Sequence, residues 1–237
     1  MALPRLFVLH APLATEGAVV PLGPDEARHL KALRLRPGDP LELVLASGPW
    51  KAEVAQMERE RALLRLVAPL DEDRESPVPL QVCLPVTAQI SLVDEMLPPL
   101  VELGATVLQP VIYARSESDP KKAGAKRDRW ERLIRSAAEQ SHRSVLPELR
   151  DPVPFEALLR WDAPQKWVAY ELATEEANPV LGEGALALTS GPEGGITDEE
   201  FAALRKAGWL PVSLGKSILR AVTAPTALLG AARFLRP

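Results

Sequence analysis

One short stretch, residues 71–79, divides this sequence into two parts with different patterns. Every residue from position 71 to position 75 is charged, and prolines follow at positions 77 and 79. Dense charge followed by two prolines continues neither a helix nor a central strand, and it adds little to a core. The stretch is therefore predicted to be a linker between two domains, residues 1–70 and 80–237.

The residues before the linker form short apolar runs separated by turns. Strands are predicted over residues 6–9, 18–22, 41–46, 50–56 and 62–68, with Ser47-Gly48 as a hairpin turn. One helix is predicted from Asp25, as its N-cap, to about residue 35, ahead of Pro37-Gly38. Many short strands with one helix favour a small β-barrel.

After the linker, apolar strands alternate with helices, which is the pattern of an α/β domain. The predicted strands cover residues 80–86, 107–113, 167–170, 185–189 and 210–214. The predicted helices cover residues 92–103, 127–141, 155–159, 198–206 and 223–235. The pair Pro98-Pro99 within the first of these helices predicts a kink or an early break.

The amino-acid composition excludes several classes of protein. The 28 Lys and Arg against 32 Asp and Glu give a net charge of −4, so binding of nucleic acid depends on local basic faces. A single cysteine, Cys83, excludes an internal disulfide and a Cys-based zinc cluster, and with three histidines no metal site is predicted. No apolar run approaches the roughly 20 residues of a membrane span, and the first residues do not resemble a signal peptide. We expect a cytoplasmic protein.

Two strand-to-helix loops are the first candidate site. One reads Ser190-Gly191-Pro192-Glu193-Gly194-Gly195, ahead of Thr197 and Glu200 at capping-box spacing. Its glycines let a ligand approach the backbone, and Glu193 favours a neutral or cationic ligand over a phosphate. The other runs from Leu214-Gly215 to a helix near Thr223. Because ligands bind at the carboxyl ends of strands in open α/β sheets, both loops are predicted to line one pocket; a plain tight turn is the alternative for each.

Positive charge is concentrated in two places. Residues 28–36 contain five basic residues and no acid: Arg28, His29, Lys31, Arg34 and Arg36. A second series covers residues 115–143: Arg115, Lys121, Lys122, Lys126, Arg127, Arg129, Arg132, Arg135 and Arg143. Two basic clusters in separate domains suit a polyanion such as RNA, and a solvated helix face is the alternative for the second cluster.

Together these segments resemble the bacterial family that methylates N3 of a uridine in small-subunit (16S) ribosomal RNA, a family of the SPOUT superfamily of S-adenosylmethionine-dependent methyltransferases. The matching pieces occur in family order: Arg28-His29-Leu30, Leu33-Arg34, Gly38-Asp39, Glu102-Leu103-Gly104, Glu139-Gln140 with Arg143 and Pro147, Gly191-Pro192-Glu193-Gly194-Gly195, Leu214-Gly215 and Ile218-Leu219-Arg220. The chain departs from the family pattern at residues 89–92, at Ser217 and at Ala221-Val222-Thr223.

The resemblance implies a PUA-like barrel for RNA over residues 1–70, and a knotted α/β methyltransferase domain over residues 80–237 that forms a homodimer. The implied contacts with S-adenosylmethionine are Thr189, Gly191, Gly195, Leu214, Gly215, Ile218 and Leu219. For such a reaction, the candidate catalytic residues are Arg220, expected to face the base, and Glu193 and Glu171, expected to balance the sulfonium or accept a proton. The candidate RNA contacts, taken from the basic clusters, are Arg28, Lys31, Arg34, Arg115 and Arg143.

Two other functions stay open at this point. One is a different SPOUT reaction, methylation of a ribose 2′-oxygen or of guanine; the basic N-terminal module argues against it. The other is a catalytically silent RNA-binding or assembly protein. This alternative is suggested by Val222, which stands where the family usually has Glu.

Overall fold

The computed structural model describes residues 3–10, 14–71, 74–171, 173 and 182–235, so positions 72 and 73 of the predicted linker lie outside the described residues. By its contacts the chain forms two compact units. The first comprises Met1–Glu75 with Ala138–Val145, and the second comprises Ser76–Ala137 with Leu146–Pro237. None of the helices in the described ranges is long and apolar enough to cross a membrane.

The first unit is built on a five-stranded sheet. Its elements are β1 (Arg5–Phe7), β2 (Val19–Leu22), α1 (Pro24–Ala32), β3 (Pro40–Leu45), β4 (Gly48–Met57) and β5 (Ala62–Pro69). The strand order is β1-β3-β4-β5-β2, and β1 and β3 are the parallel pair. Leu41, Leu43 and Leu64 are fully buried in one core, and α1 adds Ala27 and Leu30 to it.

Helix α1 begins earlier than the sequence predicts. Its N-cap is Gly23, and Pro24 occupies the first turn, where its fixed φ suits a helix and its missing N–H costs nothing. The prediction of Asp25 as N-cap is therefore wrong; Asp25 lies inside the first turn and pairs with Arg28. The helix ends at Ala32, and Arg34 follows with a φ of 61°, in the left-handed conformation typical of a helix C-terminus.

The second unit contains a parallel sheet flanked by helices. Its elements are β6 (Leu80–Pro85), α2 (Ser91–Glu102), β7 (Val107–Ile112), α3 (Pro120–Gly124), α4 (Arg127–Gln140, of which residues 138–140 belong to the first unit), β8 (Glu148–Leu149), β9 (Val153–Pro154), a 3-10 helix (Phe155–Arg160), β10 (Gln165–Ala169), β11 (Leu186–Thr189), α5 (Asp198–Lys206), β12 (Leu210–Val212) and α6 (Ala224–Phe234). The strand order is β12-β10-β11-β6-β7-β8, with β9 also beside β7. All of these pairs are parallel, which confirms the predicted α/β class.

The helix with two prolines does not break where the sequence predicts. Helix α2 continues through Pro98 and Pro99 to Glu102. Its Met96, Leu97 and Leu100 are fully buried, and the helix packs against β6 and α6. Burial of this apolar face offsets the hydrogen bonds that the two prolines remove.

Candidate functional site

Three neighbouring strands bring their following loops to one edge of the sheet. Strand β10 lies between β11 and β12, with Val168 opposite Thr189 and Ala169 opposite Val212. Because the three strands are parallel, the loops after them emerge at the same edge. They surround a cavity of about 480 Å³, a size typical of sites for small ligands.

Most of the predicted site residues line this pocket. They are Glu171, Gly191, Glu193, Gly195, Leu214, Gly215, Ile218, Leu219 and Arg220. Ser190, which belongs to the predicted first loop, lines it as well. Lining residues outside the two predicted loops include Leu92 and Glu95 from α2 and Tyr170 after β10. Tyr170 directly follows a strand, so the rule of strand ends was enough to find it. No sequence pattern points to Glu95, because only the tertiary position of α2 brings it to the pocket.

The first glycine loop has little room for larger residues. A Cβ on Gly191 would lie 2.8 Å from Ile196 Cγ1, and one on Gly194 would lie 2.8 Å from Arg115 Cβ. Gly195 has a φ of 76°, which residues with a side chain rarely adopt. The loop passes into α5 through the predicted capping box, which is confirmed: Thr197 Oγ1 accepts from Glu200 N at 3.1 Å, and Glu200 Oε2 accepts from Thr197 N at 3.0 Å.

The turn after β7 holds this loop in place. Arg115 Nη1 donates to Gly194 O at 2.8 Å, so the exposed Arg115 contacts the pocket loop. Thr189 Oγ1 donates to Cys83 O at 2.7 Å and therefore accepts from Tyr113 Oη, also at 2.7 Å. The Thr189 side chain is buried, its hydroxyl already has two partners, and the residue does not line the pocket, which favours a structural role over the predicted contact with the cofactor. Burial raises the pKa of Tyr113, which keeps its hydroxyl a donor.

The second loop carries the exposed Arg220. Its main-chain carbonyl accepts from Thr223 N at 2.9 Å and Ala224 N at 3.0 Å, which fixes the approach to α6. In the described part of the chain, its guanidinium has neither an ion pair nor a hydrogen bond. Gly215 has a φ of 109°, and Ile218, three residues further along the loop, is 84% exposed. The approach to α6 is therefore fixed by main-chain hydrogen bonds while the Arg220 side chain stays available.

The pocket carries more negative than positive charge. Glu95, Glu171 and Glu193 line it together with a single basic residue among those described, Arg220. Tyr170 adds an aromatic ring that stacks on Phe201, with ring centroids 3.7 Å apart and an interplanar angle of 11°. The pocket therefore suits a ligand with cationic groups and a planar ring.

The predicted RNA-binding residues of the first unit differ in their surroundings. Arg28, Lys31 and Arg34 are exposed on α1 and just after it. Arg28 pairs with Asp25, and Lys31 Nζ donates to Arg59 O at 2.7 Å. Neither contact removes the cation from solvent, so these three side chains remain a positive surface.

Arg143, in contrast, is 4% exposed. Its guanidinium forms an ion pair with Glu75, whose carboxylate also accepts from Ser144 N at 2.8 Å. This ion pair favours a structural role for Arg143 over the RNA contact that the sequence predicts, because a buried and paired guanidinium is not available to a phosphate. The resemblance alone gave no means of separating the two roles.

A second buried ion pair involves Glu42. Glu42 Oε2 accepts from Arg5 Nε at 2.7 Å and lies 3.0 Å from His142 Nδ1. Burial alone would raise the pKa of Glu42, but the hydrogen bonds and charges of Arg5 and His142 outweigh burial and lower it. A lowered pKa means that the charged carboxylate stabilises the fold above the ordinary glutamate value, and that this contribution is lost as the pH falls through the folded-state value.

Glu42→Gln is therefore expected to lower the free energy of unfolding at pH 7 by about 1–3 kcal/mol. The difference from wild type should shrink as the pH falls below the ordinary glutamate pKa of about 4.3. Denaturant unfolding at several pH values measures both. Glu53→Gln is the control, because Glu53 pairs with Arg65 at 3.4 Å on the surface and should change stability by about 0.5 kcal/mol or less. A difference for Glu42→Gln that is constant with pH would contradict the argument.

Comparisons with known proteins agree over nearly the whole chain. An RNA methyltransferase domain family matches residues 74–233, and an RNA methyltransferase PUA domain family matches residues 22–67. The chain is 35% identical to ribosomal RNA small subunit methyltransferase E of Synechocystis, over 95% of this chain and 75% of that protein. It is 30% identical to the protein of the same name from Bacillus subtilis, over 87% of this chain and 86% of that protein.

Solved structures give the same result for the fold. Ribosomal RNA small subunit methyltransferase E from Neisseria gonorrhoeae, bound to S-adenosyl methionine, superposes with a TM-score of 0.89 at 31% identity, covering 98% of both chains. A putative methyltransferase from Legionella pneumophila in complex with S-adenosyl methionine superposes with a TM-score of 0.89 at 26% identity, covering 99% of this chain and 98% of that chain. The match of residues 22–67 to the RNA methyltransferase PUA domain family makes the N-terminal unit PUA-like.

Proposed function

The chain belongs to the ribosomal RNA small subunit methyltransferase E family, and we propose that it methylates N3 of a specific uridine in small-subunit ribosomal RNA. Its cofactor is S-adenosylmethionine, as in the structures of its relatives. One observation carries the proposal: the two glycine loops, far apart in sequence, line one pocket at the strand ends of the methyltransferase domain.

The residues of the pocket fit this cofactor. The glycines at positions 191, 195 and 215 leave main-chain groups open to a ligand, and Leu214, Ile218 and Leu219 supply apolar contacts. The excess of carboxylates matches a cationic sulfonium and an ammonium group. When bound, S-adenosylmethionine supplies a methyl group already activated by its positive sulfur.

The protein must prepare the uracil. Its N3 carries a weakly acidic proton and is a poor nucleophile until that proton is lost. In this proposal the Arg220 guanidinium stabilises the negative charge that develops on a uracil oxygen, and Glu193 or Glu171 accepts the proton. The pocket holds the base against the methyl group, so orientation supplies much of the rate.

The proposal includes the SPOUT superfamily, a trefoil knot in the second unit, and a homodimer. The pattern of sequence motifs supports the superfamily and the knot. For the homodimer, Ile218 and Phe234 are 84% and 88% exposed, and large apolar side chains so exposed suit coverage by a second copy. Light scattering across a dilution series tests the homodimer.

Two measurements test the function. In a strain that lacks this gene, mass mapping of the modified nucleosides in 16S ribosomal RNA should show that N3-methyluridine is missing at one position. Loss of a 2′-O-methyl nucleoside or a methylguanosine instead would contradict the uridine assignment. S-adenosylhomocysteine should raise the melting temperature of the purified protein, whereas a silent RNA-binding protein shows no such shift.

The exposed cations of the first unit should contribute to RNA affinity. The triple variant Arg28→Gln, Lys31→Gln, Arg34→Gln is expected to bind a 16S RNA fragment more weakly. The slope of log affinity against log salt should fall by about 2, since each phosphate contact on single-stranded RNA contributes roughly 0.7. Filter binding at several salt concentrations measures the slope, and calorimetry should find S-adenosylhomocysteine affinity unchanged.

The matched control for this triple variant removes three other exposed cations of the same unit: Lys51→Gln, Arg61→Gln, Arg65→Gln. We expect the control to change the salt slope much less. Equal losses in the two triple variants would show that bulk charge, and not the α1 surface, holds the RNA.

A further inference from the structure

One polar side chain of the pocket has no partner. Ser190 directly follows β11, lines the pocket and is 1% exposed. In the ranges that the structure describes, its Oγ is one of two buried side-chain polar atoms without a hydrogen-bond partner, and the other is Thr226 Oγ1 on α6. A buried hydroxyl without a partner costs stability, so such groups are uncommon in folded proteins.

The preceding residue shows that this strand end is able to satisfy a hydroxyl. Thr189 is also 1% exposed, and its Oγ1 contacts Cys83 O and Tyr113 Oη at 2.7 Å each. Ser190 is the first residue after β11, and it lines the pocket whereas Thr189 does not. Its unpaired hydroxyl therefore lies on a residue of the pocket wall.

We propose that the Ser190 hydroxyl forms a hydrogen bond to the cofactor, which supplies the partner that the protein lacks. This inference rests on the proposed function. The polar atoms available to Ser190 are the ribose, adenine and amino-acid groups that S-adenosylmethionine shares with S-adenosylhomocysteine. Ser190 lies next to Gly191 in the glycine loop, so it reaches the ligand from the same segment that presents main-chain groups.

The test compares Ser190→Ala with a control that removes the other unpaired hydroxyl, Thr226→Val. Thr226 does not line the pocket. Ser190→Ala is expected to weaken S-adenosylhomocysteine binding about three- to tenfold, as for loss of one hydrogen bond. Its melting temperature without ligand should equal or exceed that of wild type, because the variant removes an unsatisfied group. Thr226→Val should leave the affinity unchanged. Calorimetry and thermal melting measure both quantities.

Each other outcome overturns the inference. Unchanged S-adenosylhomocysteine affinity in Ser190→Ala, with or without slower RNA methylation, shows that the hydroxyl does not serve the cofactor. A lower melting temperature together with weaker binding shows a structural role. If Ser190→Ala does not fold, Ser190→Cys replaces it, because a thiol of similar size is a weak donor and should weaken binding in the same way. Failure of wild type to bind S-adenosylhomocysteine contradicts the proposed function itself.

Discussion

Gly195→Val is expected to abolish S-adenosylmethionine binding while the chain still folds. Gly195 lines the pocket with a φ of 76°, a conformation that a β-branched residue adopts only with strain of about 1–3 kcal/mol. A Cβ there would meet only Arg115 Nη1, at 3.7 Å, so the protein has room for a Cβ, and we expect the branched side chain to take up space that the ligand needs. Titration calorimetry measures the affinity, and thermal melting reports the fold.

The matched control is Gly208→Val. Gly208 has a φ of 86°, and a Cβ there would lie 3.7 Å from the end of the Lys166 side chain, so the backbone strain and the room available are alike. Gly208 does not line the pocket. We expect the control to lose a similar amount of stability and to keep its affinity for S-adenosylmethionine. Wild-type affinity in a well-folded Gly195→Val variant would contradict the assignment of this loop.

Arg220→Ala is expected to slow single-turnover methylation about a hundredfold or more, the usual cost of losing one preorganised donor to a developing charge. Cofactor affinity and melting temperature should stay close to wild type. The reason is structural: the Arg220 carbonyl, which the substitution keeps, fixes the approach to α6, whereas the exposed Arg220 side chain belongs to a residue that lines the pocket. Arg220→Lys should recover only part of the rate, because an ammonium lacks the planar fork of donors.

Lys216→Ala is the control for the charge of this loop. Lys216 is exposed in the same segment but does not line the pocket, so its removal should leave the rate nearly unchanged. A structural role for Arg220 would instead lower stability and cofactor affinity together. If Arg220→Ala keeps a near-wild-type rate, Glu193 and Glu171 become the next candidates for the catalytic role.

Local patterns in the sequence were enough to predict the elements that carry the pocket. The strands that end near Thr189 and Val212 are short apolar runs, and the spacing of Thr197 and Glu200 identifies the start of α5. Because the carboxyl ends of parallel strands lie at the same edge of a sheet, the loops that follow these strands could be assigned to one pocket from the sequence alone. These predictions depend only on residues close together in the sequence.

Apart from the N-cap of α1, the differences between prediction and structure depend on tertiary contacts. From the sequence alone, Pro98 and Pro99 predict a kink or a break in the helix. The helix continues because α2 buries an apolar face, which the structure shows and the sequence does not. Arg143 is basic in sequence, and only its contact with Glu75 makes it a buried residue. Glu95 reaches the pocket because α2 packs beside it, which no spacing of residues along the chain reveals.

The discontinuous first unit has a consequence for synthesis on the ribosome. Its Arg5 donates to the carbonyls of His142 and Arg143, and Glu75 pairs with Arg143, yet Ala138–Val145 emerges long after Glu75. At about 5–20 residues per second, roughly 4–14 s separate the two events. During that interval Arg5 and Glu75 lack these partners, and Glu42 keeps Arg5 but lacks His142. A chain cut at residue 75 lacks these contacts permanently while it keeps the apolar core of the unit, so an excised N-terminal fragment is expected to be less stable than the same unit in the full chain.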